Sequence, residues 1–538
     1  MVNADSKIYL GLDFGTLSAR AIVVRLADGR IMGEASYVYP HGVLTAALPC
    51  GLILPEQYAL AVPGDYSAAL RYCIGKAIED SGIKREEISG VGISATTYTM
   101  VSCDESGTPM CENPKYAAEP MAYIKLWKHH GAAAQAEKMS EIHRQTQGFP
   151  VSNRYGYCFN CEWAVPKLLE SFEKAPELFN DTARFCDLGE WLSWQLTGEP
   201  VLSKYSAGFK GLWAEDLGYP DGDVLDMLGS GFAAALREKF MASPCGYERA
   251  CGYVSKKAAE LFGLPEGIPV ASPMGDGSAP GVCFGITNPD SISITVGTSI
   301  AMAFLSDTLV EMKGINGVVK DGIVPGKYGY DAGQPCAGDM LDWFIKKLLL
   351  SDERNQPGKQ NIHTYLTDLS MKKGPWKNPL TVLDWWNGNR SVLNNNALRG
   401  SIIGLSLTTE TEDIYTAMIQ GLACGSRRVI DEMKKNGICF DKAILCGGMS
   451  RKNPLVREQY ANLLGLPVVY AETSQITALS SAMLAAIADG IPVQKAAECL
   501  SPSLRTVAPD PEHREEYEEI YRRWCKYHDL LGAEGRQE

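Results

Sequence analysis

The sequence lacks any apolar segment long enough to cross a membrane. Its longest apolar stretch, residues 43–54, is interrupted by Pro49 and Gly51, whereas spanning a bilayer takes about 20 consecutive apolar residues. The first residues, MVNADSKIYLGLDFG, also lack the basic flank, apolar core and small-residue cleavage site of a secretory signal. We therefore expect no membrane partner, no secretion and a cytoplasmic location.

Neither positive nor negative charge is concentrated in any one segment of the chain. There are 51 Lys and Arg residues against 64 Asp and Glu residues, which gives a net charge of −13, and like charges do not form long runs. Nucleic acid binding depends on clustered positive charge. We therefore expect no nucleic acid partner.

The cysteine pattern does not indicate a disulfide framework. Sixteen cysteines are scattered through 538 residues, which favours free buried thiols in a reducing cytosol. Cys158 and Cys161 have CxxC spacing, but no second such pair and no nearby pair of histidines accompanies them. Packing is therefore favoured over a zinc or redox role for this pair.

The composition is that of an ordinary globular protein, with 45% hydrophobic and 21% charged residues. A chain of this length can bury several cores, and large α/β enzymes often arrange them as two domains. Two stretches of the sequence, one at each end, carry most of the structural signal.

The amino-terminal stretch predicts three strands, then a helix and a further strand. A hairpin turn is indicated at Asp28-Gly29, between the second and third strands. The predicted strands are residues 7–13, 19–26, 30–39 and 88–101, and the predicted helix is residues 66–81.

The second stretch begins near residue 290, where SISITVGTSIAMAFL predicts a strand, a turn and another strand. Further elements are a helix at 414–434, a buried strand at 442–446, a Gly447-Gly448 turn and a helix at 453–464. A charged helix at 511–531 ends the pattern, and a solvated capping helix is favoured there over a partner-binding one.

Three glycine-containing turns follow strands and suit phosphate binding. In GLDFGT, residues 11–16, Asp13 ends an apolar strand and could hold a hydrated magnesium ion, while Gly15 lets the backbone approach an anion. Arg20 adds a cation for phosphate. The alternative for this motif is an ordinary hairpin turn.

The other two turns are TVGTS at 295–299 and CGGMSRKN at 446–453. The first offers backbone N–H groups and hydroxyls to terminal phosphates, and the second could let a base or ribose lie against its glycines. Neither matches a Walker A motif or a dinucleotide fingerprint. MGDGSAPG at 274–281 approaches the fingerprint but has Pro280 where the helix should run.

Asp276, in the GDG of that last segment, is a candidate general base. Phosphoryl transfer to an alcohol needs in-line positioning, magnesium and a carboxylate that accepts the hydroxyl proton. The alternative for Asp276 is a turn or an N-cap before a helical stretch at 278–286.

GLDFGT, GDG, TVGTS and CGGMSRKN, in this order, resemble the FGGY carbohydrate kinases, a branch of the actin-like ATPases. The segment SATTYTM at 94–100 differs from the corresponding motifs of xylulokinases, gluconokinases and glycerol kinases. The local sequence is most similar to bacterial L-ribulokinases in LWKHH at 126–130, FCDLGEWL at 185–192, SAGFKGLW at 206–213, DAGQPCAGD at 331–339 and VLDWWNGNRS at 382–391.

The resemblance implies an α/β fold of two actin-like ATPase (ribonuclease H-like) domains with a catalytic cleft between them. The expected domains are residues 1–286, which bind the sugar and carry the catalytic Asp, and residues 287–505, which bind ATP, followed by a helical tail at 506–538. The implied activity is ATP- and magnesium-dependent phosphorylation of a ketopentose, L-ribulose at its C5 hydroxyl, in arabinose catabolism. A homodimer is implied as well.

The resemblance also assigns roles to individual residues. Asp276 is the expected catalytic base and Asp13 the magnesium-associated aspartate. The expected sugar contacts are Ala95, Thr96, Lys210, Asp276 and Asp331; the expected phosphate and nucleotide contacts are Gly15, Thr16, Arg20, Gly297, Thr298, Gly338, Gly448, Met449 and Asn453.

Two departures leave alternatives open. The ribulokinase pattern has Glu where this chain has Asp331, and its Ala-Leu-Gly-Ala run is Ala-Leu-Ser-Ser at residues 478–481; we expect the second change to be tolerated. The acceptor could therefore be another ketopentose or polyol such as D-ribulose, xylulose or ribitol, and a non-kinase actin-like ATPase is a further alternative. Without the resemblance, Lys210 would be taken for a surface lysine and Trp127 for a core aromatic.

Overall fold

The computed structural model of the protein describes residues 7–156, 159–283, 289–349, 361–395 and 397–534. Cys158 of the CxxC pair and the predicted domain limit at 286/287 lie outside the described residues. The cysteines whose side chains the structure describes are free thiols. Within these ranges no helix is both long and apolar enough to cross a membrane.

The strands are numbered in chain order. They are β1 Ile8–Phe14, β2 Ser18–Arg25, β3 Ile31–Val38, β4 Leu60–Ala61, β5 Ile88–Ala95, β6 Met100–Cys103, β7 Ile124–Lys125, β8 Arg184–Asp187, β9 Ala250–Tyr253, β10 Pro269–Ala271, β11 Met274–Gly275, β12 Ser291–Val296, β13 Ile300–Ser306, β14 Gly317–Lys320, β15 Tyr328–Gln334, β16 Thr381–Leu383, β17 Ser401–Ile403, β18 Lys442–Cys446, β19 Val468–Ala471 and β20 Leu504–Val507.

The α-helices are numbered in the same way. They are α1 Pro63–Ser81, α2 Ala133–Thr146, α3 Ala164–Lys174, α4 Pro176–Asp181, α5 Leu188–Thr197, α6 Lys204–Lys210, α7 Gly222–Asp226, α8 Phe232–Lys239, α9 Lys256–Phe262, α10 Ala279–Cys283, α11 Gly338–Trp343, α12 Ile362–Lys373, α13 Thr411–Lys435, α14 Gly447–Lys452, α15 Pro454–Leu464, α16 Ile476–Ala488, α17 Val493–Leu500 and α18 Arg514–Glu534.

The chain forms two compact units, and both are discontinuous in sequence. The first comprises Met1–Thr287, Gly317–Gly329 and Gln475–Ser501; the second comprises Asn288–Asn316, Tyr330–Ser474 and Pro502–Glu538. Residues 475–501 thus belong to the first unit, although the sequence places them within the second domain. The predicted domain limits stay predictions.

The first unit is built on a mixed sheet with the strand order β3-β2-β1-β5-β10-β9, and β11 also pairs with β5. β1 lies near the middle, and all seven of its residues are buried. It pairs antiparallel with β2 and parallel with β5. Its apolar run therefore suits a strand that is covered on both faces.

The helix predicted at 66–81 is α1, which begins three residues earlier. Pro63 occupies the first turn, where a missing N–H is tolerated, and Asp65 adds an acidic residue to that turn. Gly82 ends the helix in the left-handed conformation.

The single strand predicted at 88–101 is wrong, because the segment forms two strands in different sheets. β5 belongs to the large sheet, whereas β6 joins β4, β7 and β8 in a smaller one. Between them, Tyr98 has a φ of 57°, a left-handed conformation that ends the strand. Sequence alone gave no turn residue that would have indicated this break.

Helix α16 packs directly against the backbone of β1 and β5. A Cβ atom on Gly11 would lie 1.9 Å from the Ala478 carbonyl oxygen, and one on Gly92 would lie 1.8 Å from the Ser481 carbonyl oxygen. The Ser481 hydroxyl donates to the Leu12 carbonyl at 2.7 Å. The two glycines are therefore needed for the helix to approach the sheet this closely.

The second unit contains a mixed sheet in which β15, β13, β12, β18, β19 and β20 follow one another. β12 pairs antiparallel with β13 and parallel with β18, and Thr295 lies opposite Cys446. The predicted strand–turn–strand of residues 291–305 is thus present as β12 and β13. The α/β class predicted from the sequence is confirmed.

The predicted Gly447-Gly448 turn is the first turn of helix α14. Gly447 has a φ of 93°, and a Cβ atom there would lie 2.4 Å from the Val296 carbonyl oxygen. Only glycine fits this position without strain. A separate helix, α15, then begins at Pro454, one residue after the predicted start.

The charged helix predicted at 511–531 is α18, and one of its faces is buried in the second unit. Trp524 is 2% exposed, and its indole N–H donates to the Val382 carbonyl at 2.9 Å. Arg427 forms two hydrogen bonds with the Glu518 carboxylate. The helix is therefore part of the packing of this unit, with a polar outer face.

Gly92→Ala should destabilise the first unit by about 1–3 kcal/mol or more, because the added methyl would collide with the α16 backbone. Gly75→Ala is the control, because Gly75 lies on the exposed face of α1 and a Cβ atom there would have no neighbour within 4 Å. This substitution should stabilise the helix by about 0.5–1 kcal/mol. Urea unfolding followed by tryptophan fluorescence measures both. Equal midpoints for the two variants would contradict this account of the helix–sheet contact.

Candidate active site

Three parallel strand ends of the first unit meet at one edge of its sheet. In the β1/β5 pair Asp13 lies opposite Ser94, and in the β11/β5 pair Gly275 lies opposite Ala95. In α/β sheets, ligands bind beyond the carboxyl ends of the strands. The register therefore aligns the ends that carry Asp13, Ala95 and Asp276.

Two backbone hydrogen bonds extend this alignment beyond the strands. The Thr96 N–H donates to the Phe14 carbonyl at 3.0 Å, and the Asp276 N–H donates to the Ala95 carbonyl at 2.9 Å. The structure thus brings together the predicted base, the predicted metal-associated Asp13 and two predicted sugar contacts.

Asp13 is buried at the end of β1, opposite Arg20 on β2. A guanidinium nitrogen of Arg20 lies 3.4 Å from the Asp13 carboxylate. Burial raises the pKa of Asp13 to about 6, while the charge and hydrogen bond of Arg20 oppose the rise. The ionised carboxylate is thus held where water solvates it poorly and a cation would stabilise it.

Asp276 directly follows β11, and most of its surface is buried. Burial and, in second place, the negative charge of Asp13 raise the pKa of Asp276 to about 7. A carboxylate with a pKa near the working pH is suited to accept a proton. This environment favours the base role over the turn or N-cap alternative.

Gly15 and Thr16, the last two residues of GLDFGT, lie in the turn between β1 and β2. The Gly15 N–H donates to the Ser18 carbonyl at 3.0 Å, which closes the turn into β2. The Thr16 hydroxyl accepts a hydrogen bond of 3.1 Å from the Trp127 indole N–H. Trp127 is therefore more than a core aromatic, because it orients a predicted phosphate contact.

Lys210, at the last turn of α6, is only 6% exposed. The surface-lysine alternative is therefore wrong. Its ammonium lies 3.9 Å from the centre of the Tyr98 ring, within the range of a cation–π interaction. Tyr98 was not among the residues expected from the sequence, since the pattern SATTYTM does not reveal where its side chain points.

In the second unit, the predicted phosphate turn contacts the start of α11. The Gly297 N–H donates to the Ser299 carbonyl at 2.9 Å, and the Gly338 N–H donates to the Gly297 carbonyl at 3.0 Å. The Ala337 N–H donates to the Thr298 carbonyl at 2.8 Å. Three residues predicted to contact the nucleotide, Gly297, Thr298 and Gly338, thus lie next to one another.

Met449 and Gly448 lie at the adjacent strand end. A Cβ atom on Gly338 would lie 3.5 Å from the Met449 methyl carbon, whereas a Cβ atom on Gly448 would meet nothing within 4 Å. Gly448 is exposed and Met449 is partly buried. An apolar side chain beside open backbone is suited to a flat base or a ribose.

Asn453 has a structural role that does not depend on a nucleotide. Its side-chain oxygen accepts from the Leu455 N–H at 3.0 Å and caps α15, and its amide donates to the Tyr415 hydroxyl at 3.1 Å. Its contact with adenosine stays a prediction.

Asp331, the remaining predicted sugar contact, lies on β15. It is buried, and its carboxylate accepts a hydrogen bond of 3.2 Å from the Asn316 amide. The Asn316 N–H also donates to the Asp331 carbonyl at 2.7 Å. Asp331 is therefore fixed within the second unit, apart in sequence from the other four predicted sugar contacts, which lie in the first.

Comparison with protein-family models matches residues 8–283 to the N-terminal domain and residues 292–488 to the C-terminal domain of the FGGY family of carbohydrate kinases. The chain belongs to this family. Membership confirms the predicted family and the two-domain fold, and it favours a carbohydrate kinase over the non-kinase ATPase alternative.

Curated relatives extend the similarity over almost the whole chain. A ribulokinase from Shouchella clausii is 34% identical over 534 residues, which cover 97% of this chain and 95% of the relative. A ribulokinase from Mycolicibacterium smegmatis is 35% identical, with 98% and 94% covered.

Solved structures of the family have the same fold at lower identity. A xylulose kinase from Rhodospirillum rubrum has a TM-score of 0.78 at 20% identity, covering 98% of this chain and all of the other. A gluconate kinase from Lactobacillus acidophilus has a TM-score of 0.78 at 16% identity, covering 99% of both chains.

The residues of this FGGY kinase fit a magnesium ion. Mg²⁺ prefers oxygen ligands and is usually bound by one or two carboxylates together with water and substrate phosphates. Asp13 supplies a buried carboxylate, and its negative charge acts on the neighbouring Asp276. Asp13, the predicted metal-associated residue, is the one that would hold the ion.

Gly297→Val should raise the KM for ATP at least tenfold, because the added side chain would occupy space meant for phosphate. The chain itself tolerates a side chain there, since a Cβ atom on Gly297 meets only the Ser299 carbonyl oxygen at 3.8 Å. Gly64→Val is the control, because a Cβ there meets only a Val62 methyl at 3.9 Å. An unchanged KM for ATP in Gly297→Val, measured in a coupled ADP assay, would refute this phosphate assignment.

Asp276→Asn should raise the Tm of the metal-free protein by a few degrees at about pH 8. The pKa of Asp276 is about 7 in the folded chain against about 4 when unfolded, so its ionised form opposes folding. That penalty is fully present above pH 7 and shrinks as the pH falls toward 4. Thermal scans at several pH values test this, and a Tm gain that is the same at every pH would contradict it.

Proposed function

We propose that the protein is an ATP-dependent ribulokinase that converts L-ribulose to L-ribulose 5-phosphate in arabinose catabolism. The observation that carries the kinase chemistry is the position of Asp276, at a strand end beside Asp13 with its pKa raised to about 7. The choice of ribulose is supported by relatives named ribulokinase at 34–35% identity over nearly the full chain.

In the proposed reaction, the C5 hydroxyl of the sugar attacks the γ-phosphorus of ATP. An O–P bond forms, the bond between the γ-phosphorus and the β,γ-bridging oxygen breaks, and ADP leaves. The Asp276 carboxylate accepts the hydroxyl proton and later releases it to solvent. Its raised pKa makes this uptake favourable at neutral pH.

The remaining residues bind and orient the two substrates. Arg20, the Thr16 hydroxyl and the backbone at Gly15 and Gly297 would contact phosphate oxygens. Magnesium, held at Asp13 when bound, supplies charge neutralisation on the phosphates. Residues with polar atoms at the strand end, such as Thr96, would bind the sugar hydroxyls.

The alternative acceptors D-ribulose, xylulose and ribitol remain part of the proposal, because Asp331 is one methylene shorter than the Glu of the ribulokinase pattern. A homodimer and a cytoplasmic location also remain predictions.

A coupled ADP assay with L-ribulose, D-ribulose, xylulose and ribitol should give the highest kcat/KM with L-ribulose. ADP formation that requires no added sugar would contradict the kinase assignment, and a clear preference for another acceptor would replace L-ribulose.

Asp276→Asn should lower kcat by about 10²- to 10⁴-fold while ATP and sugar still bind, because only proton acceptance is lost. Asp65→Asn is the control, since Asp65 is a buried carboxylate of the same unit that accepts from His41 at 2.8 Å, and its turnover should stay near that of the wild type. Isothermal titration of both ligands accompanies the rate measurement. Near-normal turnover in Asp276→Asn would remove this residue from the base role.

A further inference from the structure

The buried ammonium of Lys210 rests on an aromatic face. Its Nζ atom lies 3.9 Å from the centre of the Tyr98 ring, and both side chains are less than a tenth exposed. A cation over a ring face is attracted by the negative charge of that face, and the attraction grows when water is excluded. Tyr98 therefore holds the Lys210 charge in one place.

The Tyr98 ring is itself held by a second ring. Tyr205 stacks beside it with the ring centres 6.4 Å apart and an interplanar angle of 20°. The Tyr205 hydroxyl forms a hydrogen bond of 2.9 Å with the hydroxyl of Ser278, two residues after Asp276. The aromatic pair thus connects Lys210 to the segment that carries the base.

The backbone of Tyr98 is strained and clamped from both sides. Its φ of 57° is uncommon for a bulky residue. Its N–H donates to the Asp187 carboxylate, and its carbonyl accepts a hydrogen bond of 2.6 Å from the Lys167 ammonium. Strain that neighbouring groups maintain in this way is characteristic of functional sites.

The two clamping side chains are buried and have other fixed partners. Asp187 also accepts from the Gly189 N–H and caps α5, and Lys167, with no exposure, also donates to the Leu126 carbonyl at 2.8 Å. Each is thus anchored by other partners as well, and their contacts with Tyr98 hold its peptide in place.

A second positive charge lies close to Lys210. Burial lowers the pKa of Lys167 to about 7, and the charge of Lys210 acts in the same direction. Two ammonium groups in one buried region repel each other. The Tyr98 ring face supplies an attraction that offsets part of this repulsion on Lys210.

We propose that Tyr98 is a positioning residue of the sugar site, whose ring holds the Lys210 ammonium ready to bind an oxygen atom of the sugar. This role rests on the proposed function, because it takes Lys210 as a sugar contact. The ring acts on sugar binding through Lys210, so its loss should weaken sugar affinity and leave ATP affinity unchanged.

Tyr98→Leu should raise the KM for the sugar about tenfold or more with a much smaller change in kcat. Tyr98→Phe keeps the ring face and should restore most of the affinity. Tyr66→Leu is the matched control, because Tyr66 is an equally buried tyrosine of the same unit whose ring packs against Tyr39 in the core, and it should leave the sugar KM unchanged.

A double-mutant cycle tests whether Tyr98 acts through Lys210. In the Lys210→Met background, Tyr98→Leu should have little further effect on the sugar KM, since the cation that the ring holds is already gone. Equal effects of Tyr98→Leu in both backgrounds would overturn the proposal.

Fluorinated phenylalanines at position 98 provide a second test, because they retain an aromatic ring and should fold even if Tyr98→Leu does not. Successive fluorine atoms remove negative charge from the ring face at nearly constant shape, so the sugar KM should rise stepwise with their number. A KM that does not respond to fluorination would overturn the proposal.

An NMR measurement separates this role from the proposed function. In protein with labelled lysine, the Lys210 ε-methylene protons should be shifted upfield by the ring and lose that shift in Tyr98→Leu. A wild-type enzyme that phosphorylates no sugar of the panel overturns the proposed function and this role with it. A working wild type with an unchanged sugar KM in Tyr98→Leu overturns the role of Tyr98 alone.

Discussion

The close contact between helix α16 and the middle of the first sheet is the constraint on which the site depends. Gly11 and Gly92 leave no atom beyond the backbone, so the helix lies against β1 and β5. The Ser481 hydroxyl bonds both the Leu12 carbonyl and the Ser94 hydroxyl, one on each strand. These contacts fix the helix and the strands close to the strand ends. A small displacement of either strand there would separate the carboxylates of Asp13 and Asp276.

The two carboxylates at this edge of the sheet favour ligand binding at the expense of folding stability. Asp13 and Asp276 each have a raised pKa because burial, and for Asp276 also the other carboxylate, disfavours ionisation. A folded protein that retains such a pair gives up stability, which is characteristic of sites that bind cations and move protons. Arg20 offsets only part of this charge, so the site is suited to magnesium and a polyphosphate together.

Local pattern predicted most of the elements around the site. Apolar runs and the Asp28-Gly29 turn gave β1, β2 and β3, and helical spacing gave α1 and α13 within a few residues. The local sequence pattern failed where the backbone conformation of a residue depends on partners that are distant in the sequence. Tyr98 is left-handed because Asp187 and Lys167, 89 and 69 residues away, hold its peptide, and no propensity of tyrosine indicates such a bend.

The sequence by itself determined the class of fold and the order of the glycine turns, and it predicted which carboxylates act, because these depend on periodicity and on residue chemistry within short segments. Tertiary structure alone decided that residues 475–501 belong to the first unit and that Lys210 is buried on the ring of Tyr98. Those outcomes depend on contacts between segments that are far apart in the sequence. Such contacts are selected by packing and by the satisfaction of buried polar groups, and neither is visible in a local window.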